Sequence, residues 1–323
     1  MIKAGNYLVG VVLLLFGLSI HAADSAWTED KKQLFIDSMV GQYGYTREQL
    51  NTIFSTVLKD ERILAKITHP AEKTIPWYRY RQIFMDAKRV ANGVHFYHQH
   101  KTVLSEAYHR YGVSPAVIVA ILGVETRYGK VMGNDQVIRA LSTIAFGYPK
   151  RETFFTNELR AFLQMTAQQQ LNPLQPLGSY AGAMGMAQFM PSSYLNYAVD
   201  YEGDGKKDLW SNANDAIFSI ANYLSRNGWQ KDGKLTDKAI LSASYGETFN
   251  HKPFTTVGAL REKGVIVFAD DSQAAGLLKL QGKDVPLFFV TYKNFSVITT
   301  YNTSPKYAMA VIDLAKAIED EIK

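Results

Sequence analysis

VIVAILGVETRYG, residues 117–129, is the stretch on which the reading of this chain turns. Its apolar residues form a helical run that carries one acid, Glu125, near the C-terminal end and stops at Gly129. A carboxyl group placed there meets buried apolar side chains and the negative end of a helix dipole. Both disfavour the ionised form and push its pKa upward. A carboxylic acid kept protonated near neutral pH is what general acid catalysis needs. Most acids at helix ends are solvated or salt-bridged, so these residues alone leave catalysis the minority reading.

Working outward, Ser114 and Pro115 start this helix as cap and first turn. Upstream, residues 30–109 follow a helical pattern, with Thr46 as the cap before Glu48 and Gln49. Residues 66–76 read as a linker. Residues 77–112 give two helical stretches broken near Asn92 and Gly93. His95, His98 and His100 lack a nearby acid at a metal-ligand spacing, so mixed helix faces explain them better. Downstream, residues 131–170 predict two helices broken at Gly147 and Pro149, and NPLQPLGS, residues 172–179, is a loop.

Next comes GAMGMAQFMPSSY, residues 182–194, where Gly182, Gly185 and small alanines allow close backbone approach. Gln188 stands among Met184, Met186, Phe189 and Met190, and an amide in such company must find a partner, more often internal than a ligand. DYEGDGKKDLWSNAND, residues 200–215, opens like a calcium loop, except that Glu202 fills the third position. Asp200, Glu202 and Asp204 converge as the chain turns at Gly205, and the Lys206 carbonyl falls at the backbone-ligand position. The twelfth position is Ser211, and Asp215, four residues later, can close the site. The bland reading is an acidic turn; the one favoured is a structural cation. Residues 234–298 mix short helical pieces with strands at VIVF, KLQ and VPLFFVTY, and residues 306–323 form an amphipathic helix.

Composition sets the frame. The 323 residues are 47% hydrophobic and 20% charged, so the chain is folded and has room for two or three domains. The formal charge is +5, with no dense basic run, which gives no support to a nucleic-acid partner. Residues 1–23 have a basic start, an apolar run over residues 7–20 and then Ala22 and Ala23. That run is shorter than the ~20 residues of a membrane-spanning helix, so it predicts a cleaved secretory signal. Cysteine is absent, which excludes disulfides, thiolate zinc sites, cysteine nucleophiles and a lipid-modified N-terminal cysteine.

GVETRYG around Glu125, the 182–194 segment, the calcium-like loop and the closing YNTSPKYAMAV, residues 301–311, stand together in order. In that order and spacing they resemble the lytic murein transglycosylase B family, membrane-bound and soluble forms alike, over nearly the whole chain from Asp30. The resemblance implies an α+β, mainly α, fold: a lysozyme-like core domain within a larger helical domain, plus a small β-containing domain. The parts would be residues 24–113 and 299–323 for the helical domain, 114–229 for the core with its cation loop, and 230–298 for the small domain. The implied reaction cleaves the β-1,4 bond between N-acetylmuramic acid and N-acetylglucosamine in peptidoglycan, leaving a 1,6-anhydromuramoyl end.

Glycosidases ordinarily pair two carboxylates, whereas this core offers one. The family reaction needs one: Glu125 protonates the glycosidic oxygen, then as carboxylate takes the proton of the sugar's own 6-hydroxyl. Matching by position, the resemblance puts Ser179, Gln188, Tyr223, Tyr301, Asn302 and Tyr307 in the sugar cleft and Lys150 and Arg151 at the lactyl carboxylate or peptide stem. Core aromatics and a solvated basic pair are the bland alternatives. Tyr128 stands where the family often has tryptophan, and should keep an aromatic wall. The metal ligands would be Asp200, Glu202, Asp204, Lys206 and Asp215, for calcium or sodium, with no catalytic cofactor. The expected partner is the glycan strand, with cell-wall synthesis proteins left unidentified. The expected place is the periplasm, soluble after signal cleavage, with at most a loose association with the envelope. A hydrolytic muramidase, a non-catalytic peptidoglycan-binding protein and, less well, a metal-dependent amidase are the competing readings.

Overall fold

A computed structural model describes residues 28–68, 75–246 and 249–323. The expected signal segment and part of the 66–76 linker lie outside the described residues. Among the described residues six α-helices precede the apolar run: α1 (Glu29–Met39), α2 (Arg47–Ser55), α3 (Glu61–Thr68), α4 (Trp77–Phe84), α5 (Ala87–Gln99) and α6 (Lys101–Tyr111). Thr46 and Gln49 form a reciprocal capping box on α2, satisfying two backbone N–H groups at once.

Residues 77–111 form three helices rather than two. The breaks fall before Asp86, which caps α5 by accepting the Arg89 N–H at 3.0 Å, and at His100. Gly93 lies inside α5, not at a break. A Cβ there would come 2.5 Å from Ile318 Cδ1 and 2.6 Å from Tyr128 Oη. Glycine marks a close helix approach here, which from sequence looks the same as a helix breaker.

The apolar run is α7 (Pro115–Thr126), and every residue from Ala116 to Gly123 is buried. Ser114 occupies the cap position, but its hydroxyl makes no capping bond and lies 3.5 Å from Glu319 Oε1. α8 (Val137–Gly147), α9 (Glu152–Gln168), α10 (Pro191–Tyr197) and α11 (Ala213–Arg226) follow, with the short antiparallel pair β1 (Asp135–Gln136) and β2 (Leu177–Gly178). The chain closes with α13 (Lys293–Tyr301) and α14 (Pro305–Ile322), after α12 (Val257–Glu262) in the sheet region. α14 lies along α7, and α5, α6 and α11 also pack on it. A helix apolar on all sides needs such a wrapping.

The sheet runs β4 (Asn250–Thr256), β6 (Ala274–Gln281), β7 (Pro286–Thr291), β3 (Thr236–Leu241), β5 (Val265–Ile266), antiparallel throughout. KLQ and VPLFFVTY fall in the two central strands, while β3 and β4 escape a hydrophobicity reading. TDKAIL and NHKPFTT are largely polar, and β4 buries only alternate residues. Val257, Leu260, Val265, Leu277 and Val290 make a small core of their own, whereas Leu278, Leu280 and Phe289 join the main core. α13 runs through the expected domain boundary at 298/299, and its Phe295, Val297 and Ile298 are buried in the main core.

Candidate active site

Glu125 is the penultimate residue of α7 and is half-buried. α14, on the α7 flank, brings Tyr307 to it: the Tyr307 Oη donates to Glu125 Oε1 at 2.6 Å. Tyr307 is 3% exposed. Burial first, then the Glu125 charge, holds its phenol well above the ordinary 10, so it is a neutral donor at any working pH. The Tyr301 ring lies parallel to that of Tyr307 at 6.5 Å. Its phenol, raised by burial and by Glu125 in the same way, donates to the Ala187 carbonyl.

Tyr223 meets Tyr301 edge-on at 4.9 Å and donates to Thr300 O at 2.7 Å, and Phe189 completes the aromatic group. Asn302 Oδ1 accepts the Ser304 N–H at 3.0 Å, which shapes the turn into α14 and thereby sets where Tyr307 emerges. Tyr223 and the three closing-segment residues singled out by sequence, Tyr301, Asn302 and Tyr307, therefore belong to, or frame, one aromatic cluster beside Glu125.

The end of α7 is held from the other side. The helix stops at Thr126, three residues before Gly129, because Arg127, Tyr128 and Gly129 all turn left-handed, with φ of 52°, 62° and 81°. Two consecutive non-glycine residues in that region are strained. Thr126 Oγ1 supports the turn by accepting the Gly129 N–H at 3.0 Å and donating to Met186 O at 3.0 Å. Thr126 was not singled out from sequence; its only signal is its place beside Glu125. Ser179 is half-buried, and its Oγ accepts the Ala181 and Ala183 N–H groups, which ties the loop. Gln188 has the internal partners that its apolar company demands: Nε2 donates to Met132 O at 3.1 Å and Gly185 O at 2.9 Å.

One expected position differs. Tyr128 is not a cleft wall: it is 9% exposed, stacks on Phe96 and donates to Arg89 O at 2.9 Å, because its left-handed backbone turns it into the helical core. Lys150 and Arg151 are exposed on the turn Pro149–Arg151, where the Arg151 guanidinium lies 4.3 Å from the Phe154 ring centroid. The buried acid Glu158 on α9 accepts from Ser192 on both oxygens, from N–H at 2.9 Å and Oγ at 2.6 Å.

The acidic loop gathers a second group of carboxylates. Oxygens of Asp200, Glu202 and Asp215 lie within 4.8 Å of one another. Asp204 stands outside that group: its Oδ1 turns back to accept the Lys206 N–H at 2.9 Å, and both residues are exposed. Asp200 accepts the N–H groups of Gly203 and Gly205 at 2.7 Å each, and Glu202 accepts from Asn212 and Asn214. Asp215 is 1% exposed, and burial, with the Glu202 charge adding to it, pushes it up to about 6. A carboxyl driven to hold a proton beside two other acids suits a cation, whose charge would replace that proton. Among the described residues the three histidines of α5 and its C-cap form no metal-binding group.

The pattern that defines the transglycosylase SLT domain matches residues 27–316. The membrane-bound lytic murein transglycosylase B of Escherichia coli K12 is 40% identical over 297 residues, covering 88% of this chain and 82% of that protein. The E. coli lytic transglycosylase Slt35 in complex with calcium superposes with a TM-score of 0.84 at 39% identity, over 90% of this chain and 93% of that one. SltB3 of Pseudomonas aeruginosa in complex with NAG-NAM-pentapeptide gives 0.80 at 32% identity, over 90% and 79%. With a match that spans the helical body, the Glu125 cluster and the acidic loop, this chain belongs to the transglycosylase SLT domain family, the lytic murein transglycosylases.

Proposed function

We propose that Glu125 alone carries the acid and base steps of murein cleavage and that the products end in 1,6-anhydromuramoyl residues. The observation that carries this reading is the pairing of a lone half-buried carboxylate with a neutral phenol, Tyr307, at 2.6 Å. Glu125 protonates the glycosidic oxygen through its outer oxygen and leaves a carboxylate that Tyr307 stabilises by donation. That carboxylate then takes the proton of the muramoyl 6-hydroxyl as this oxygen closes on the anomeric carbon. The sugar is both electrophile and nucleophile, so a second carboxylate has no task.

Tyr301 and Tyr223 offer ring faces to the sugars with the buried Phe189 packed against them, Asn302 frames that wall, and Ser179 and Gln188 shape the facing loop. Lys150 and Arg151 stand ready for carboxylates further along the strand. Calcium is the cation we assign to Asp200, Glu202 and Asp215, in keeping with the calcium complex of Slt35. The glycan strand is the substrate, in keeping with the SltB3 complex, and the enzyme works where murein is, in the cell envelope. Residues 114–229 act as the core, held by the helical parts on either side, with 230–298 as an appended module. Among the described residues no helix is long and apolar enough to cross a membrane.

Digestion of purified sacculi followed by mass measurement of the muropeptides tests the reaction. Anhydro ends are expected; products heavier by one water would mean a hydrolytic muramidase, and no products would mean a binding protein.

A further inference from the structure

We infer that a cationic pocket at the end of the catalytic helix, built on Arg89 and Arg127, binds a carboxylate of the peptide carried by the glycan strand. Asp86, Lys88, Arg89 and Asn92 from the start of α5 face Arg127, Tyr128, Lys130 and Val131 from the turn after Glu125, around a cavity of about 240 Å³. Arg89 is 5% exposed, and its Nε is buried without a hydrogen-bond partner. Among the described residues none of Arg89, Arg127, Lys88 and Lys130 donates a side-chain hydrogen bond. The acid within ion-pair reach is Asp86, whose Oδ2 is 3.6 Å from Arg89 Nε, too far for a hydrogen bond. The other Asp86 oxygen is committed to capping α5.

A buried guanidinium nitrogen without a hydrogen bond, with Asp86 no nearer than 3.6 Å, is costly in any fold. Burial lowers the Arg89 pKa, and the Arg127 charge lowers it further, so two cations press on one cavity. Arg89 is placed against the Phe84 ring, with its backbone carbonyl pinned by Tyr128. The left-handed backbone of Arg127 and Tyr128 is what turns the chain after Glu125 so that Arg127 and Lys130 close the pocket. An oxyanion is the chemistry that would satisfy this arrangement, since arginine forks match carboxylate and phosphate oxygens alike. The site rests on the proposed function for its source of anion: murein peptides end in carboxylates, and the pocket adjoins the turn that carries the acid. A side group held there would fix the register of the strand over Glu125.

Calorimetric titration of the whole protein with an acetylated dipeptide bearing a free C-terminal carboxylate, its amide, and inorganic phosphate tests the site. The free acid should bind at least tenfold tighter than the amide, and Arg127→Asn or Arg89→Met should weaken it tenfold or more. Asparagine tolerates the left-handed backbone at 127, and because that side chain is exposed the variant keeps the test decisive even if Arg89→Met does not fold. Equal binding of acid and amide, or an unaffected Arg127→Asn, would overturn the proposal. Phosphate binding without peptide binding would overturn the peptide as source. In turnover, Arg127→Asn should raise KM about tenfold more on intact sacculi than on peptide-stripped glycan. An equal loss on both substrates would count against it. An enzyme silent on both substrates would sink the catalytic reading, while the titration would still decide the site.

Discussion

Glu125 and the acids of the 200–215 loop are both carboxylates held close to helix α7 or α11, yet their surroundings assign them opposite work. Glu125 accepts from a neutral phenol at 2.6 Å and has a strained turn behind it. Asp200, Glu202 and Asp215 crowd one another and draw backbone and amide N–H groups onto nearly every oxygen. The carboxyl we propose to give and take a proton is half-buried against a neutral phenol. The carboxyls we propose to hold a cation are fixed by several N–H donors and crowd one another. The difference lies in the donors around the group, not in the acid itself.

The largest effect should come from removing the acid in the first group. Glu125→Gln keeps the shape and the Tyr307 contact but cannot move a proton, so muropeptide release should fall about 10³-fold, roughly 4 kcal/mol in the barrier. Full activity in that variant, measured by chromatography of sacculus digests, would erase the contrast.

Next in size is the cation. Asp215 sits at about 6 in the fold against an ordinary 3.8, so its protonated form favours the native state. Without metal that contribution is present at low pH and lost as pH rises through 6; a cation must displace the same proton. Calcium at about 100 Kd should therefore add about 2.7 kcal/mol, read as a rise in Tm of about 5 °C above pH 7 that shrinks as pH falls through 6. A rise independent of pH between 5 and 8 would detach Asp215 from the site.

Tyr307→Phe removes the phenol that donates to Glu125 Oε1. Hydrogen bonds to charged groups contribute about 1.5–3 kcal/mol, so kcat should fall about tenfold or somewhat more, with Tm nearly unchanged. A loss confined to KM would make Tyr307 a sugar platform instead. The smallest effect sharpens the second group: Asp204→Asn should change the calcium Kd less than about threefold, since a charge outside the cluster acts through solvent, whereas Asp200→Asn should weaken it well beyond that. Equal losses, measured by calorimetry, would put Asp204 among the ligands.

Much of this was legible in the chain. The apolar run 117–124 announced a buried helix, and the Asp-x-Glu-x-Asp-Gly spacing announced the acidic turn. Gly93 misled, because a glycine chosen for the approach of Ile318 and Tyr128 reads the same as one chosen to end a helix. β3 and β4 were missed because strands that bury only alternate residues carry few apolar side chains. Tyr128 was misplaced because a non-glycine residue in left-handed backbone has no sequence signature.

By itself, then, the sequence determined which residues are candidates for the chemistry and which helix must be buried, since those follow from side-chain type and local period. Only the tertiary structure decided their partners. Tyr307 reaches Glu125 across 182 residues of chain because α14 packs on α7. Asp204 drops out of the acid cluster, and Arg89 is buried unmatched beside Arg127. Such contacts are set by the packing of distant segments, and a local pattern carries no trace of what will be folded against it.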